Sequence, residues 1–265
     1  MTLRITVLGC GSSTGVPRIG NDWGACNPNN PKNRRRRCSI LVEKIGSEGR
    51  TSVVIDTSPD LREQLLSAGV KRLDGVIYTH DHADHTHGID DLRVLCYMQR
   101  RRIDVWADPR TLALLQHRFD YCFETPPGSS YPAIVAGHPI ENFAPLTISG
   151  PGGDLTFQPF RQIHGDIETL GLRVGGVAYS CDLNDLPEEA LPHLRGLDIW
   201  ILNALRYTPH PSHLSVAKAL GWIERMAPRQ AVLTHLHADI DYDELSANVP
   251  AGVVLAYDDM VLECE

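Results

Sequence analysis

The stretch Thr79-His80-Asp81-His82-Ala83-Asp84-His85 groups histidines and aspartates directly after the apolar run Val76-Ile77-Tyr78. Such an apolar run is typical of a buried strand, so the polar residues lie where the strand ends. Residues i and i+2 of an extended chain project to the same side, so His80 and His82 can bind one ion. Asp84 and His85 follow as the chain turns, and they can reach a second ion. Imidazole and carboxylate are ligands of zinc and manganese, so the stretch predicts a metal centre.

Three more ligand-type residues follow downstream, each where a strand candidate ends. His164 follows Phe160-Arg161-Gln162-Ile163, Asp182 follows Val177-Ala178-Tyr179-Ser180-Cys181, and His235 follows Ala231-Val232-Leu233-Thr234. Alone, each would more often be a structural residue, and the stretch 79–85 alone could be a solvated polar loop. Their shared placement favours one metal centre, because a zinc-like ion takes about four ligands.

Composition predicts the class of protein. The chain has 265 residues, 42% of them hydrophobic and 22% charged, as in an ordinary globular protein, and we expect one domain over residues 1–265. The N-terminus has no signal-peptide pattern, and no apolar run reaches the roughly 20 residues of a membrane span. Seven scattered cysteines without a Cys-x-x-Cys pair predict reduced thiols and a cytoplasmic location. The net charge of −8 argues against an extended nucleic-acid partner.

Short strands alternate with helices, which indicates the α/β class. Predicted helices cover residues 59–68, 89–100, 110–121 and 212–227, the last with Ser212 as its N-cap. A breaker-rich loop at 124–132 is a candidate mobile lid. Predicted strands cover residues 3–8, 39–44, 52–55, 75–78, 104–106, 146–148, 155–160, 170–174, 177–180, 199–202, 231–233, 253–256 and 260–262.

Three other features have more than one interpretation. The block Arg34-Arg35-Arg36-Arg37 is either a solvated face or a phosphate-binding rim beside the metal site. Asp56, which ends a strand candidate, is either a plain strand-end residue or the hydrogen-bond acceptor that holds the 80–85 loop. Cys181 precedes Asp182, so strand alternation predicts that its side chain faces away from the metals.

The chain resembles the metallo-β-lactamase-fold hydrolase superfamily in an ordered set of motifs. These are Thr-His-Asp-His-Ala-Asp-His, then a lone His, then Ser-Cys-Asp and then Leu-Thr-His. The resemblance implies a four-layer αββα sandwich of two mixed sheets with a binuclear site at one edge. Carried over residue by residue, it implies that the first metal binds His80, His82 and His164. The second metal would bind Asp84, His85 and His235, and Asp182 would bridge the two.

The opening Leu8-Gly9-Cys10-Gly11-Ser12-Ser13-Thr14-Gly15-Val16-Pro17 is similar to the branch that contains tRNA 3′-processing endonucleases and the phosphoribosyl cyclic phosphate phosphodiesterase. This chain also resembles the phosphodiesterase in Cys38-Ser39 after a basic loop and in His213 before a helix. Its three-cysteine structural zinc loop is reduced here to Cys26, so we predict no structural zinc. A long glycine-rich insertion suited to a tRNA elbow is missing, which favours a small cyclic or nucleotide-like phosphodiester as substrate.

The implied reaction is hydrolysis by a hydroxide that bridges two divalent ions, zinc or manganese. Asp84 would orient the hydroxide, and His213 would assist the leaving group from the N-terminal end of the helix at 212–227. Alternatives are a tRNA 3′-processing-type endonuclease, a thiolester hydrolase, and a non-catalytic binding protein like the pyrroloquinoline-quinone biosynthesis member of the superfamily. The choice of metal stays open, as does the oligomeric state, for which a homodimer is one option.

Overall fold

Two seven-stranded sheets form the centre of the computed structural model, which describes residues 2–264. The strands are β1 (Thr2–Gly9), β2 (Ser39–Gly46), β3 (Gly49–Ile55), β4 (Gly75–Ile77), β5 (Ile103–Ala107), β6 (Val135–Pro139), β7 (Leu146–Ile148), β8 (Leu155–His164), β9 (Ile167–Val174), β10 (Val177–Ser180), β11 (Ile199–Asn203), β12 (Gln230–Thr234), β13 (Val253–Leu255) and β14 (Val261–Cys264).

Each sheet is antiparallel in one half and parallel in the other. The first sheet has the order β14-β1-β2-β3-β4-β5-β6, and its pairs are antiparallel up to β3 and parallel from β3 to β6. The second has the order β7-β8-β9-β10-β11-β12-β13, antiparallel up to β10 and parallel beyond it. The α/β class with two mixed sheets is therefore confirmed.

Alternation along the strands produces the layers. In β11, Ile199 and Ile201 face the core between the two sheets, whereas Trp200 and Leu202 face a second core on the other side of their sheet. That second core also contains helix residues, and a third core lies between the first sheet and its own helices. The helices are α1 (Leu61–Ser67), α2 (Ala83–Thr86), α3 (Leu92–Gln99), α4 (Pro109–Arg118), α5 (Asp120–Phe123), α6 (Val216–Met226) and α7 (Tyr242–Ser246). The layers follow the expected αββα order.

The predicted start of the last long helix is wrong. We expected Ser212 to cap it, but α6 begins at Val216, and Ser215 is the N-cap whose side chain accepts from the Lys218 N–H. The backbone N–H of Leu214 instead lies 2.9 Å from both the Leu183 carbonyl and the Asn203 Oδ1. These tertiary bonds hold the chain extended before Ser215, so the helix cannot begin earlier.

Two smaller differences concern the first sheet and its helices. Strand β6 was missed because Gly137 and Pro139 oppose strand formation, yet β6 is an edge strand, where proline is tolerated. The helix predicted at 110–121 is broken at Phe119, where φ is −128°. No helix among residues 2–264 is both long and apolar enough to cross a membrane. The assignment of residues 1–265 to one domain stays a prediction.

Candidate metal centre

The predicted ligands converge at one edge of the sandwich, because the strands that carry them end there. His80 to His85 follow β4, His164 is the last residue of β8, and His235 follows β12 directly. Asp182 lies two residues beyond β10, which is parallel to β11 and, through it, to β12. Parallel strands present their carboxyl ends at the same edge of a sheet, and this topology brings together residues distant in sequence.

Asp182 joins two groups of metal-type side chains. The first group is His80, His82, His164 and Asp182, and the second is His85, Cys181, Asp182 and His235. The Asp182 Oδ2 lies 3.6 Å from His80 Nε2 and 3.5 Å from His164 Nε2. The other oxygen, Oδ1, lies 3.4 Å from His85 Nε2 and 3.1 Å from His235 Nδ1. One carboxylate thus faces both groups, as a bridging ligand does.

Several converging atoms are left without hydrogen bonds. Within residues 2–264, His80 Nε2, His85 Nε2 and Asp182 Oδ1 are buried and have no hydrogen-bond partner. A buried polar atom without a partner costs about 1–3 kcal/mol, so native structures rarely contain several together. Ligand atoms about 2.1 Å from a tetrahedral ion lie roughly 3.4 Å from one another. The observed separations match that value, so the side chains present fit bound divalent ions.

Oxygen atoms behind the imidazoles fix how the rings are turned. His80 Nδ1 lies 3.0 Å from Thr79 Oγ1, His85 Nδ1 lies 2.7 Å from Asp56 Oδ2, and His164 Nδ1 lies 2.6 Å from the Ser212 carbonyl. Each contact directs the opposite nitrogen, Nε2, toward the group. Asp56 also accepts from the Thr79 N–H at 2.7 Å and from the Thr79 hydroxyl at 2.8 Å, which confirms its predicted role in holding the loop.

The buried carboxylates strongly favour positive charge at the site. Burial opposes protonation of His85, but Asp182, Asp84 and Asp56 outweigh burial and hold the pKa of His85 well above its usual range. Burial likewise opposes protonation of His235, yet Asp182 and other neighbours raise its pKa to about 9. Burial, together with the nearby His85, lowers the pKa of His80. A divalent ion between these residues would supply the positive charge that protons otherwise provide.

The two predicted catalytic residues border the groups. The Oδ2 of Asp84 lies 3.4 Å from His85 Nε2, and the side chain is 13% exposed. The His213 ring stacks on His235 at 4.7 Å between centroids and meets His164 edge-on at 4.7 Å. Burial, with the help of His235 and His164, lowers the pKa of His213 to about 3 despite the nearby Asp182. His213 precedes the N-cap of α6, so the predicted placement at a helix N-terminus is wrong, although its placement beside the ligands stands.

Two sequence interpretations need correction. Cys181 is buried and alternates as expected, packing with Val177 and Tyr179 in the core between the sheets. That core reaches the metal-type side chains, however, so Cys181 Sγ lies 3.6 Å from His235 Nδ1 and does not face away from them. Neither interpretation of the arginine block describes Arg35, which is 2% exposed and donates to the carbonyls of His237 and Ile240 and to Asn33 Oδ1. Arg35 therefore ties the N-terminal loop to the segment after His235.

Sequence reasoning also missed two supporting residues. Asn203 ends β11 at the same edge as the ligands, and its side chain contacts His213 Nδ1 at 3.4 Å while accepting from the Leu214 N–H. Its strand-end position was the available signal. Arg118 donates to Asp81 at 2.7 Å and thereby anchors the residue between His80 and His82. Nothing in the local sequence links Arg118 to that loop, which lies 37 positions away.

The comparison with protein families agrees with this geometry. A family model described as a beta-lactamase superfamily domain matches residues 51–236, which include every predicted ligand. The chain belongs to this family. The resemblance predicted from the sequence motifs is thereby confirmed.

Similar proteins are known by sequence and by structure. An octanoyltransferase of Porphyromonas gingivalis is 34% identical over 97% of this chain but only 50% of that protein. The chain spans about half the length of the curated relatives it matches. The crystal structure of a new diphosphatase from the PhnP family is 36% identical, with a TM-score of 0.89 over 100% of this chain and 98% of that one.

Two more distant structures share the fold. Zn²⁺-bound PqqB from Methylobacterium extorquens is 17% identical, with a TM-score of 0.72 over 98% of this chain and 99% of its own. The short form of human tRNase Z is 16% identical, with a TM-score of 0.64 over 98% of each chain. These two neighbours show the fold, and the family match covers two groups of side chains that could bind metal.

Proposed function

We propose that this chain is a binuclear metal-dependent phosphodiesterase that acts on a small cyclic or nucleotide-like phosphodiester. The observation that carries the proposal is Asp182, whose two carboxylate oxygens face two separate pairs of buried histidines, His80 with His164 and His85 with His235. A carboxylate placed in this way can bind two adjacent ions at once. Two-metal sites are typical of phosphodiester and phosphomonoester hydrolysis. The full-length similarity to a diphosphatase supports the phosphorus-centred reaction.

The residues divide into two sets of ligands. His80, His82 and His164 would hold the first ion together with Asp182 Oδ2, and Asp84, His85 and His235 would hold the second together with Asp182 Oδ1. Zinc or manganese ions held there would activate water as the nucleophile and offset the negative charge on the phosphoryl oxygens.

Two side chains would then act on the reacting groups. Asp84 is partly exposed at the edge of the cluster, so its carboxylate can accept a hydrogen bond from the attacking water and orient it. His213 packs against ligands of both groups and would donate a hydrogen bond to the leaving oxygen. The neutral form of the ring suffices for this, because a positioned donor stabilises developing negative charge without transferring its proton beforehand.

A turnover screen tests the proposal. Metal-loaded protein should hydrolyse bis-p-nitrophenyl phosphate and at least one cyclic nucleotide or ribosyl cyclic phosphate, should lose activity with a chelator, and should regain it with zinc or manganese. RNA with a 3′ extension and an octanoyl thioester belong in the same screen. Turnover of the thioester with every phosphodiester left intact would overturn the proposal, and so would cleavage of RNA alone.

A further inference from the structure

Cys181 lies inside the second group of metal-type side chains, although no predicted ligand set includes it. The residue is 1% exposed, and it follows directly after β10. The group consists of four buried residues, His85, Cys181, Asp182 and His235. Each offers one potential ligand atom, and these four atoms lie within 4.8 Å of one another. The second group therefore contains a thiol that the expected ligand set lacks, beside Asp84, whose Oδ2 lies 3.4 Å from His85 Nε2.

The separations around Cys181 are those of ligands on one ion. Tetrahedral zinc with a Zn–S distance of about 2.3 Å and a Zn–N distance of about 2.0–2.1 Å places sulfur and nitrogen roughly 3.6 Å apart. Cys181 Sγ lies 3.6 Å from His235 Nδ1. His85 Nε2 and Asp182 Oδ1 in the same group are 3.4 Å apart, and both are buried without a hydrogen-bond partner in residues 2–264.

His235 is turned differently from the other ligand histidines. In His80, His85 and His164 the Nδ1 atom contacts a supporting oxygen, which leaves Nε2 to face the centre. In His235 the Nδ1 atom itself faces Asp182 Oδ1, at 3.1 Å, and Cys181 Sγ. His235 also has a φ of +59°, a left-handed conformation that is uncommon for residues other than glycine and often marks functional positions. The ring and the thiol are thus directed at the same point.

We propose that the Cys181 thiolate is a ligand of the second ion and makes that position selective for zinc over manganese. The inference rests on the proposed binuclear centre and deepens it by naming the metal. On binding, the thiol releases its proton to solvent and a sulfur–metal bond forms. Soft thiolate ligands favour zinc, whereas manganese prefers carboxylate, carbonyl and water oxygen. Asp84, which is 13% exposed, keeps one carboxylate oxygen available to orient the attacking water.

Cobalt(II) loading tests the ligand directly and without reference to activity. Metal-free protein loaded with two cobalt ions should show a thiolate-to-cobalt charge-transfer absorption in the near ultraviolet. Cys181→Ser should lose this absorption. Cys122→Ser is the matched control, because it removes another buried thiol from the core between the first sheet and its helices, and it should keep the absorption. Cys181→Ser should also lower zinc affinity at one position at least about 10-fold and leave manganese affinity nearly unchanged.

Other outcomes separate this inference from the proposed function. Two bound cobalt ions without charge-transfer absorption in the unaltered protein would overturn ligation by Cys181, and that result does not depend on whether any variant folds. Absorption that persists in Cys181→Ser but disappears in Cys38→Ser would assign the sulfur to Cys38, whose thiol interacts with both Cys181 and His235. Failure to bind any cobalt would instead overturn the binuclear centre itself.

Discussion

Replacing Asp56 with asparagine should lower the affinity for the second metal ion, because Asp56 orients His85. Asp56 is fully buried and accepts three hydrogen bonds, from the Thr79 N–H, the Thr79 hydroxyl and His85 Nδ1. The asparagine side chain has nearly the same size and tolerates the φ of +64° at this position. Its amide NH₂, however, must point at either the Thr79 N–H or the His85 N–H, so at least one bond is lost whichever way the amide turns.

The magnitude follows from those bonds. A hydrogen bond to a charged group contributes about 1.5–3 kcal/mol, and a buried donor left unpaired costs about 1–3 kcal/mol. We therefore expect the free energy of unfolding to fall by about 2–4 kcal/mol. Affinity for the second ion should fall by about 10–100-fold, the usual effect of losing a partner that orients a ligand histidine.

Asp74→Asn provides the matched control. Asp74 is also a buried acceptor, which bonds to the Ser52 N–H and pairs with Arg72, but it lies at the opposite end of β4 from the ligands. Urea unfolding should show that both variants are destabilised, and zinc titration should show weakened binding in Asp56→Asn alone. If the two variants bound the second ion equally well, the argument that Asp56 orients His85 would be refuted.

Three further changes test other parts of the site. Asp182→Ala should lower the metal content from close to two ions per chain to one or fewer by elemental analysis, whereas Asp185→Ala on the same loop should not; full retention would exclude Asp182 as a bridge. His213→Ala should keep both ions yet slow turnover of substrates with poor leaving groups by about 10²–10³-fold, with a smaller loss for p-nitrophenyl esters. If the variant and the unaltered protein turned over every substrate at the same rate, His213 would be an ordinary loop residue. Arg35→Met should lower the free energy of unfolding by at least about 3 kcal/mol in urea, since several buried acceptors lose their donor; the exposed Arg34→Met should change it by less than about 0.5 kcal/mol.

The convergence of the predicted ligands could be foreseen from the sequence, because it follows from the strand topology. Asp182 and His235 each follow an apolar run, His164 ends β8, and the carboxyl ends of parallel strands meet at one edge. Asp56 was predictable for the same reason, since it directly follows β3, which pairs with β4.

The remaining features depend on contacts between distant segments. Cys181 was misplaced because the core between the sheets, which it enters by alternation, extends to His235, and alternation along one strand does not reveal that contact. Ser212 and Ser215 are both good capping residues, and only the bonds from Leu214 to Leu183 and Asn203 decide between them. Burial of Arg35 follows from its bonds to acceptors more than 200 positions away, which no local pattern reveals.

The central claim is that two ions at the Asp182 cluster hydrolyse a phosphodiester. Stepwise titration of metal-free protein with zinc, and separately with manganese, while the hydrolysis of bis-p-nitrophenyl phosphate is followed, tests it most directly. The account predicts that activity rises until about two equivalents have been added and then stays constant. An activity that is present without added metal and resists chelation would contradict the claim, as would two bound ions with no hydrolysis of any phosphodiester.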